Sequence, residues 1–228
     1  MAFPALAERL GHIRETIAHH QAIGGWRHPV AIVAVTKTHG PEAVRAAGAA
    51  GIGAVGENRV QEALAKQDQL RDLDIAWHLI GTLQRNKARQ AVGRFALIQS
   101  VDRLELAEEL ARRTPHGTRQ AVLVQVNCSD EPQKGGVEPD ALPALLDAMR
   151  PLARLELRGL MTMAALTDDA GEQRRAFARL RTLRDEAGRA GHTVPELSMG
   201  MSGDYTVAVE EGATMVRLGT LLFGERGR

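Results

Sequence analysis

Aromatics, cysteine and net charge are all scarce in this chain, and each scarcity excludes a class of function. Phe, Trp and Tyr together make up 3% of 228 residues, and 29 Lys plus Arg stand against 28 Asp plus Glu. No basic stripe with interleaved aromatics exists, so neither a nucleic acid nor a membrane surface is an expected partner. A small, locally anionic ligand stays open. The single cysteine, Cys128, rules out an internal disulfide and a cysteine-based metal cluster and suits a reducing compartment. It follows a strand without a nearby basic partner and reads as an inert thiol. No apolar run approaches membrane-spanning length. The opening MAFPALAERLGHIRETIAHH carries charges where a signal peptide has a continuous apolar core, so the expected location is the cytoplasm.

What is present, 44% hydrophobic and 25% charged residues, is ordinary for a globular chain with a sizeable core. Residues 4–23 set Leu6, Leu10, Ile13 and Ile17 at helical spacing, and Gly24-Gly25 ends that helix. Thereafter short apolar runs alternate with helical patterns. The runs predict eight strands, at 30–36, 52–55, 75–80, 95–99, 121–126, 154–160, 196–199 and 214–218. The intervals predict helices at 41–50, 58–71, 84–92, 102–113, 138–149, 169–190 and 204–211. Pro41 in a first turn, and Asp102 followed three residues later by Glu105, read as helix starts. No linker divides the chain, so one α/β domain over 1–228 is expected. Strict βα alternation predicts a closed (β/α)₈ barrel of TIM type with an extra N-terminal helix, rather than an open doubly wound sheet.

Function in such a barrel gathers at the C-terminal strand ends. The first strand, VAIVAVTKT (30–38), has six apolar residues, four of them β-branched, as a strand covered on both faces requires. Lys37 comes where it runs out. An amine beside apolar walls loses hydration, which favours the neutral form that adds to an aldehyde as a Schiff base; on this stretch alone an exposed lysine at a strand end is the default reading, and only the rest of the chain shifts it. The segments SMGMSGD (198–204) and RLGT (217–220) look like a phosphate site: glycines admit an anion to backbone N–H groups, and Ser202 and Thr220 offer hydroxyls. Tight capped turns are the alternative. Arg217, inside the apolar MVRLG, needs an acceptor for its fork of donors, either an interior carboxylate or a ligand atom.

Other motifs carry less. Gly51 to Gly56 spell GxGxxG, but a helix precedes them and a strand runs through them, the reverse of a dinucleotide fingerprint. His78 reads as a satisfied core or rim histidine before a catalytic base, and the histidines lack metal-ligand spacing. Met161, Met163, Met199 and Met201 either pack the barrel mouth or cover an aromatic ring. Lys87 and Lys134 read by default as solvated loop lysines, with a second aldehyde-binding site the alternative left open.

Six blocks in order, AVTKT (34–38), GENRVQE (56–62), WHLIGTLQRNK (77–87), RGLMTM (158–163), SMGMSGDY (198–205) and VRLGTLLFG (216–224), resemble the pyridoxal 5′-phosphate (PLP) homeostasis proteins. Their single domain is similar to the N-terminal barrel of alanine racemase, the fold-type III PLP-binding barrel. The resemblance implies that Lys37 carries PLP as an internal aldimine, that Ser202, Gly219 and Thr220 hold the phosphate, and that Arg217 faces the pyridine nitrogen. It further implies that Asn58, His78 and the Met161 region line the pocket. An arginine opposite that nitrogen makes the ring a poorer electron sink, and the one tyrosine, Tyr205, follows the phosphate loop. The expectation is therefore a carrier or buffer of PLP that serves apo PLP-dependent enzymes, as a monomer or weak homodimer. A narrow PLP-dependent amino-acid racemase is the runner-up, and a lysine Schiff-base barrel acting on a phosphorylated sugar the third reading.

Overall fold

The computed structural model describes residues 3–129, 131 and 134–224. The chain enters through α1 (Leu6–Gly24), whose Leu6, Leu10, Ile13 and Ile17 form one buried stripe, as their spacing implies. Then follow β1 (Ala31–Val35), α2 (Pro41–Ala49), β2 (Ala54–Glu57), α3 (Val60–Gln69), β3 (Ala76–Leu79) and α4 (Ala88–Ala91). The middle of the chain holds β4 (Leu97–Val101), α5 (Leu104–Arg113), β5 (Gln120–Gln125), α6 (Leu142–Met149) and β6 (Leu155–Met161). The last elements are α7 (Ala170–Arg189), β7 (Glu196–Ser198), α8 (Tyr205–Glu210), β8 (Met215–Leu218) and α9 (Thr220–Phe223). Each of these eight strands pairs in parallel with the next, and β8 pairs with β1, closing the barrel that the βα alternation implies.

Three local expectations are corrected. β2 sits two residues beyond its apolar run, because the N–H of Ile52 is spent on Ala47 in the turn that ends α2, while Glu57 extends the ladder with Lys66 as partner for its carboxylate. β4 is likewise displaced, since the N–H of Phe95 donates to Ala91 and polar Gln99 and Ser100 belong to the strand. α5 opens without a side-chain cap; Asp102 pairs with Arg103 at 2.5 Å instead, so the Asp102–Glu105 box does not form.

Period-two alternation sorts the strand side chains into two layers. Ala34, Val55, Val122, Leu160, Val216 and Leu218 pack outward under the helices, each fully buried Leu being worth about 1.5–3 kcal/mol. Val33, Leu97, Ala121, Leu123, Met161 and Met215 pack together inside the barrel. Toward the C-terminal ends the interior becomes polar. Ser198 Oγ donates to Gln99 Oε1 at 2.6 Å, and Gln99 Nε2 lies 3.0 Å from His78 Nδ1. Burial, aided by the positive Arg158, pulls the His78 imidazole down to about 4. The ring is thus neutral at pH 7, and Nδ1 accepts from the Gln99 amide.

The direction of that shift sets a pH dependence. An unfolded His78 titrates near 6.5, so its contribution to stability is intact above that pH and is lost as pH falls toward 4, where the unfolded chain takes up the proton first. Between pH 7 and 4 the wild type is expected to lose about 3 kcal/mol more unfolding free energy than His78→Gln, read by urea titration. Equal losses in the two proteins would contradict the buried neutral imidazole.

Candidate functional site

A cavity of about 510 Å³ opens at the C-terminal ends of the strands. Lys37 reaches it by parity: Val33 and Val35 face inward, Ala34 and Thr36 outward, and the next inward position is the lysine. Its side chain makes no hydrogen bond or ion pair to another described residue, and the residue is half-buried. The backbone that carries it is a tight turn. The N–H of His39 donates to Thr36 O at 3.1 Å, and Thr38 has φ 70° while Lys37 keeps a negative φ. That combination is a type II turn, whose third position favours glycine; here a β-branched threonine occupies it, at a cost of about 1–3 kcal/mol.

Beside Lys37, across the β1–β8 seam, lies a cradle of donors. Ser202 Oγ accepts the N–H of Gly219 at 3.3 Å and of Leu221 at 3.5 Å, tying the loop after β7 to the start of α9. The N–H groups of Ser202, Gly203 and Thr220 donate to no described residue and stand at the cavity wall. Gly200, at φ 93°, lets this loop press on α8, where an added Cβ would lie 2.7 Å from Ala208 Cβ. Asp204 turns back instead of capping α8: its Oδ1 accepts the N–H of Met201 at 2.5 Å. Burial raises this carboxyl, opposed by the Met201 N–H and by the charges of Arg217 and Lys134.

Arg217 forms the deep wall of the cavity. Its partners are a hydroxyl and a carbonyl, Ser198 Oγ at 2.7 Å and Thr162 O at 2.8 Å, rather than the interior carboxylate that a buried arginine often needs. Ser198 passes the connection on to Gln99 and His78. Burial lowers the guanidinium to about 10, with Asp204 acting against that shift, so it stays protonated at neutral pH. Two of its five N–H donors are committed within the described residues, and the group borders the cavity with the rest.

Of the residues singled out in the sequence, Lys37, Asn58, Ser202, Arg217, Gly219 and Thr220 share this wall. His78 and Met161 do not: the first lies in the interior polar chain and the second in the apolar cluster beneath, and Met163, one inward step further, lines the cavity in its place. Tyr205 is buried outside the wall. Lys134, read as a solvated loop lysine, is instead a wall residue, with Nζ 2.5 Å from both Ala164 O and Glu131 Oε2. Only its burial reveals this, and no periodicity marks it. Gly81 is needed because a Cβ there would collide with the carbonyl of Asn58.

Among the described residues the wall therefore holds three Lys or Arg side chains, Lys37, Lys134 and Arg217, with hydroxyls, backbone N–H groups that donate to no described residue, and no carboxylate. Such a set suits a small anionic ligand bearing a group that an amine can attack. No group of three His, Cys, Asp or Glu able to hold a metal exists among the described residues, and none of their helices is long and apolar enough to cross a membrane.

Comparison with known proteins agrees with this geometry. The family model for the alanine racemase N-terminal domain matches residues 9–227. The chain is 43% identical over 222 residues to the pyridoxal phosphate homeostasis protein of Aquifex aeolicus, covering 96% of this chain and 97% of that one. Identity to the pyridoxal phosphate homeostasis protein of Pseudomonas aeruginosa is 45% over 222 residues, covering 97% and 94%. Among solved structures, PipY of Synechococcus elongatus with PLP bound superposes with a TM-score of 0.85 at 43% identity, covering 96% of this chain and all of that one. The chain thus belongs to the pyridoxal phosphate homeostasis proteins, within the alanine racemase N-terminal domain family.

Proposed function

We propose that this barrel holds PLP reversibly through Lys37 and acts as a carrier that keeps a reactive aldehyde sequestered until an apo-enzyme takes it up. One observation carries the reading: a lysine amine and a cradle of N–H groups and hydroxyls, the amine and three of the N–H groups without a partner among the described residues, share one cavity across the β1–β8 seam. The donor set fits the cofactor. Ser202, Gly219 and Thr220 would receive the phosphate, Arg217 the pyridine nitrogen, and Asn58 and Met163 flank the ring, while the Lys37 amine condenses with the aldehyde carbon and releases water. When bound, PLP supplies an electrophilic aldehyde conjugated to its ring. The PipY relative's structure with PLP bound supports PLP as the ligand.

A holding role fits these residues better than turnover does. A guanidinium that stays protonated denies the ring nitrogen a proton, so little electron density can be drawn into the ring. The one tyrosine is outside the cavity wall, and a two-base racemase of this fold needs an acid/base opposite its lysine.

Three outcomes are expected. In Lys37→Ala, borohydride treatment with PLP should leave no pyridoxyl phosphate adduct at the cavity, whereas the wild type should carry one adduct on the peptide containing Lys37; a wild-type adduct on another lysine alone would refute the site. Ser202→Ala should weaken PLP binding about tenfold by loss of a hydrogen bond to a charged group, yet leave covalent capture of phosphate-free pyridoxal unchanged. Equal weakening for both aldehydes would contradict the phosphate cradle. Incubation of the loaded protein with single L-amino acids, followed by chiral chromatography, should show no sustained racemisation; robust turnover would establish the racemase reading instead.

A further inference from the structure

Lys66, which is not among the residues of the cavity wall, is tied to the backbone beneath Lys37. It projects from α3 into the layer between barrel and helices, where its buried ammonium lies 2.6 Å from Glu57 Oε1 and donates to the carbonyl of Thr36 at 2.9 Å. Thr36 Oγ1 donates to the same Glu57 oxygen at 2.6 Å, and the N–H of Thr36 donates to Gly56 O at 3.1 Å. Thr36 O is also the atom that closes the turn to His39. One residue, the first of the turn that presents Lys37, is thus held through its N–H, its hydroxyl and both lone pairs of its carbonyl.

Stability does not explain this arrangement. A buried ion pair is often matched or exceeded by well-packed apolar residues of the same volume, and here Glu57 Oε2 is buried with no hydrogen-bond partner among the described residues. What the pair does accomplish is local. The turn it grips carries a left-handed, β-branched Thr38, a conformation that persists only where surrounding contacts over-determine it. Released, the turn relaxes toward ordinary φ values, and the direction in which Lys37 leaves β1 changes with it.

We infer that Lys66 and Glu57 are positioning residues for Lys37, clamping the Thr36 carbonyl so that the strained turn aims the amine into the cavity. The inference rests on Lys37 being the lysine that captures PLP, and it assigns to the buried pair a role in covalent capture separate from cofactor binding. Capture joins the Lys37 nitrogen to the aldehyde carbon and expels the aldehyde oxygen as water; the clamp touches none of these atoms.

The test uses Glu57→Gln/Lys66→Met, which leaves no uncompensated charge buried. In the double variant, hydrogen exchange at the His39 amide should be faster than in the wild type without any cofactor. Covalent capture of PLP, read from the yellow absorbance, should weaken about tenfold. Binding of pyridoxamine 5′-phosphate, which has no aldehyde, should stay within about twofold. Adding Thr38→Gly, which enters the left-handed region without strain, should recover most of the lost capture. Unchanged capture in the double variant, parallel loss of both ligands, or no recovery with glycine would each overturn the positioning role. Failure of the underlying reading is distinguishable, because it would appear as wild-type capture that survives Lys37→Ala.

Discussion

The seam at which β8 pairs with β1 is the constraint on which the site depends. In-register pairing of Val33 with Arg217 and Ala34 with Leu218 brings the first βα turn and the last into contact, although they are some of the most distant segments in the chain. Lys37 leaves one side of that seam, and Gly219 and Thr220 leave the other. An amine and an anion cradle made from opposite ends of the sequence become neighbours only when the ring of strands closes. The site therefore exists only in a chain whose β8 has paired with β1.

The cavity inherits its chemistry from how the barrel is filled. A floor of Val33, Leu97, Ala121, Leu123, Met161 and Met215 keeps the lower interior dry, which strengthens each hydrogen bond in the polar layer above it. There Arg217, Ser198, Gln99 and His78 run as one chain across four strands, fixing the guanidinium from behind so that its orientation does not depend on a ligand. The neutral His78 at the far end is an acceptor in that chain and not a proton donor to the cavity. Outside the barrel wall a second polar cluster, Thr36, Glu57 and Lys66, acts on the backbone of the opposite partner in the seam. Both halves of the site are thereby set before any ligand arrives, as preorganised sites require.

Much of this was legible in the residues, and the reasons for the exceptions are physical. Alternation of apolar runs with helical patterns implied the barrel, because a parallel strand buried on both faces leaves an unmistakable run. That Lys37 and the glycine-rich loops stand at the cavity mouth followed from their places at the strand ends, whereas the role given to the lysine came from the resemblance. β2 and β4 were displaced because apolar character extends into the turns that precede them, where Ile52 and Phe95 close helices, while polar Glu57 and Gln99 carry the ladder onward. Gln99 and Ser198 gave no sign of their roles, since a polar residue beside apolar ones looks the same whether it is solvated or satisfied by a distant partner, and Lys66, in the polar stretch AKQDQ of α3, reads as one more solvated helix lysine. His78 and Met161, set in the pocket by resemblance, lie beneath it, and Lys134 lines it. Parity along a strand tells which way a side chain points but not how far along the barrel axis the cavity floor lies.

The account stands or falls on what joins Lys37 to its ligand. Crystals of the wild-type chain grown with PLP should show continuous density from Lys37 Nζ to the cofactor, with the phosphate against Ser202, Gly219 and Thr220 and the ring nitrogen toward Arg217. Density attached to another lysine, or a phosphate seated away from the seam between β1 and β8, would contradict it.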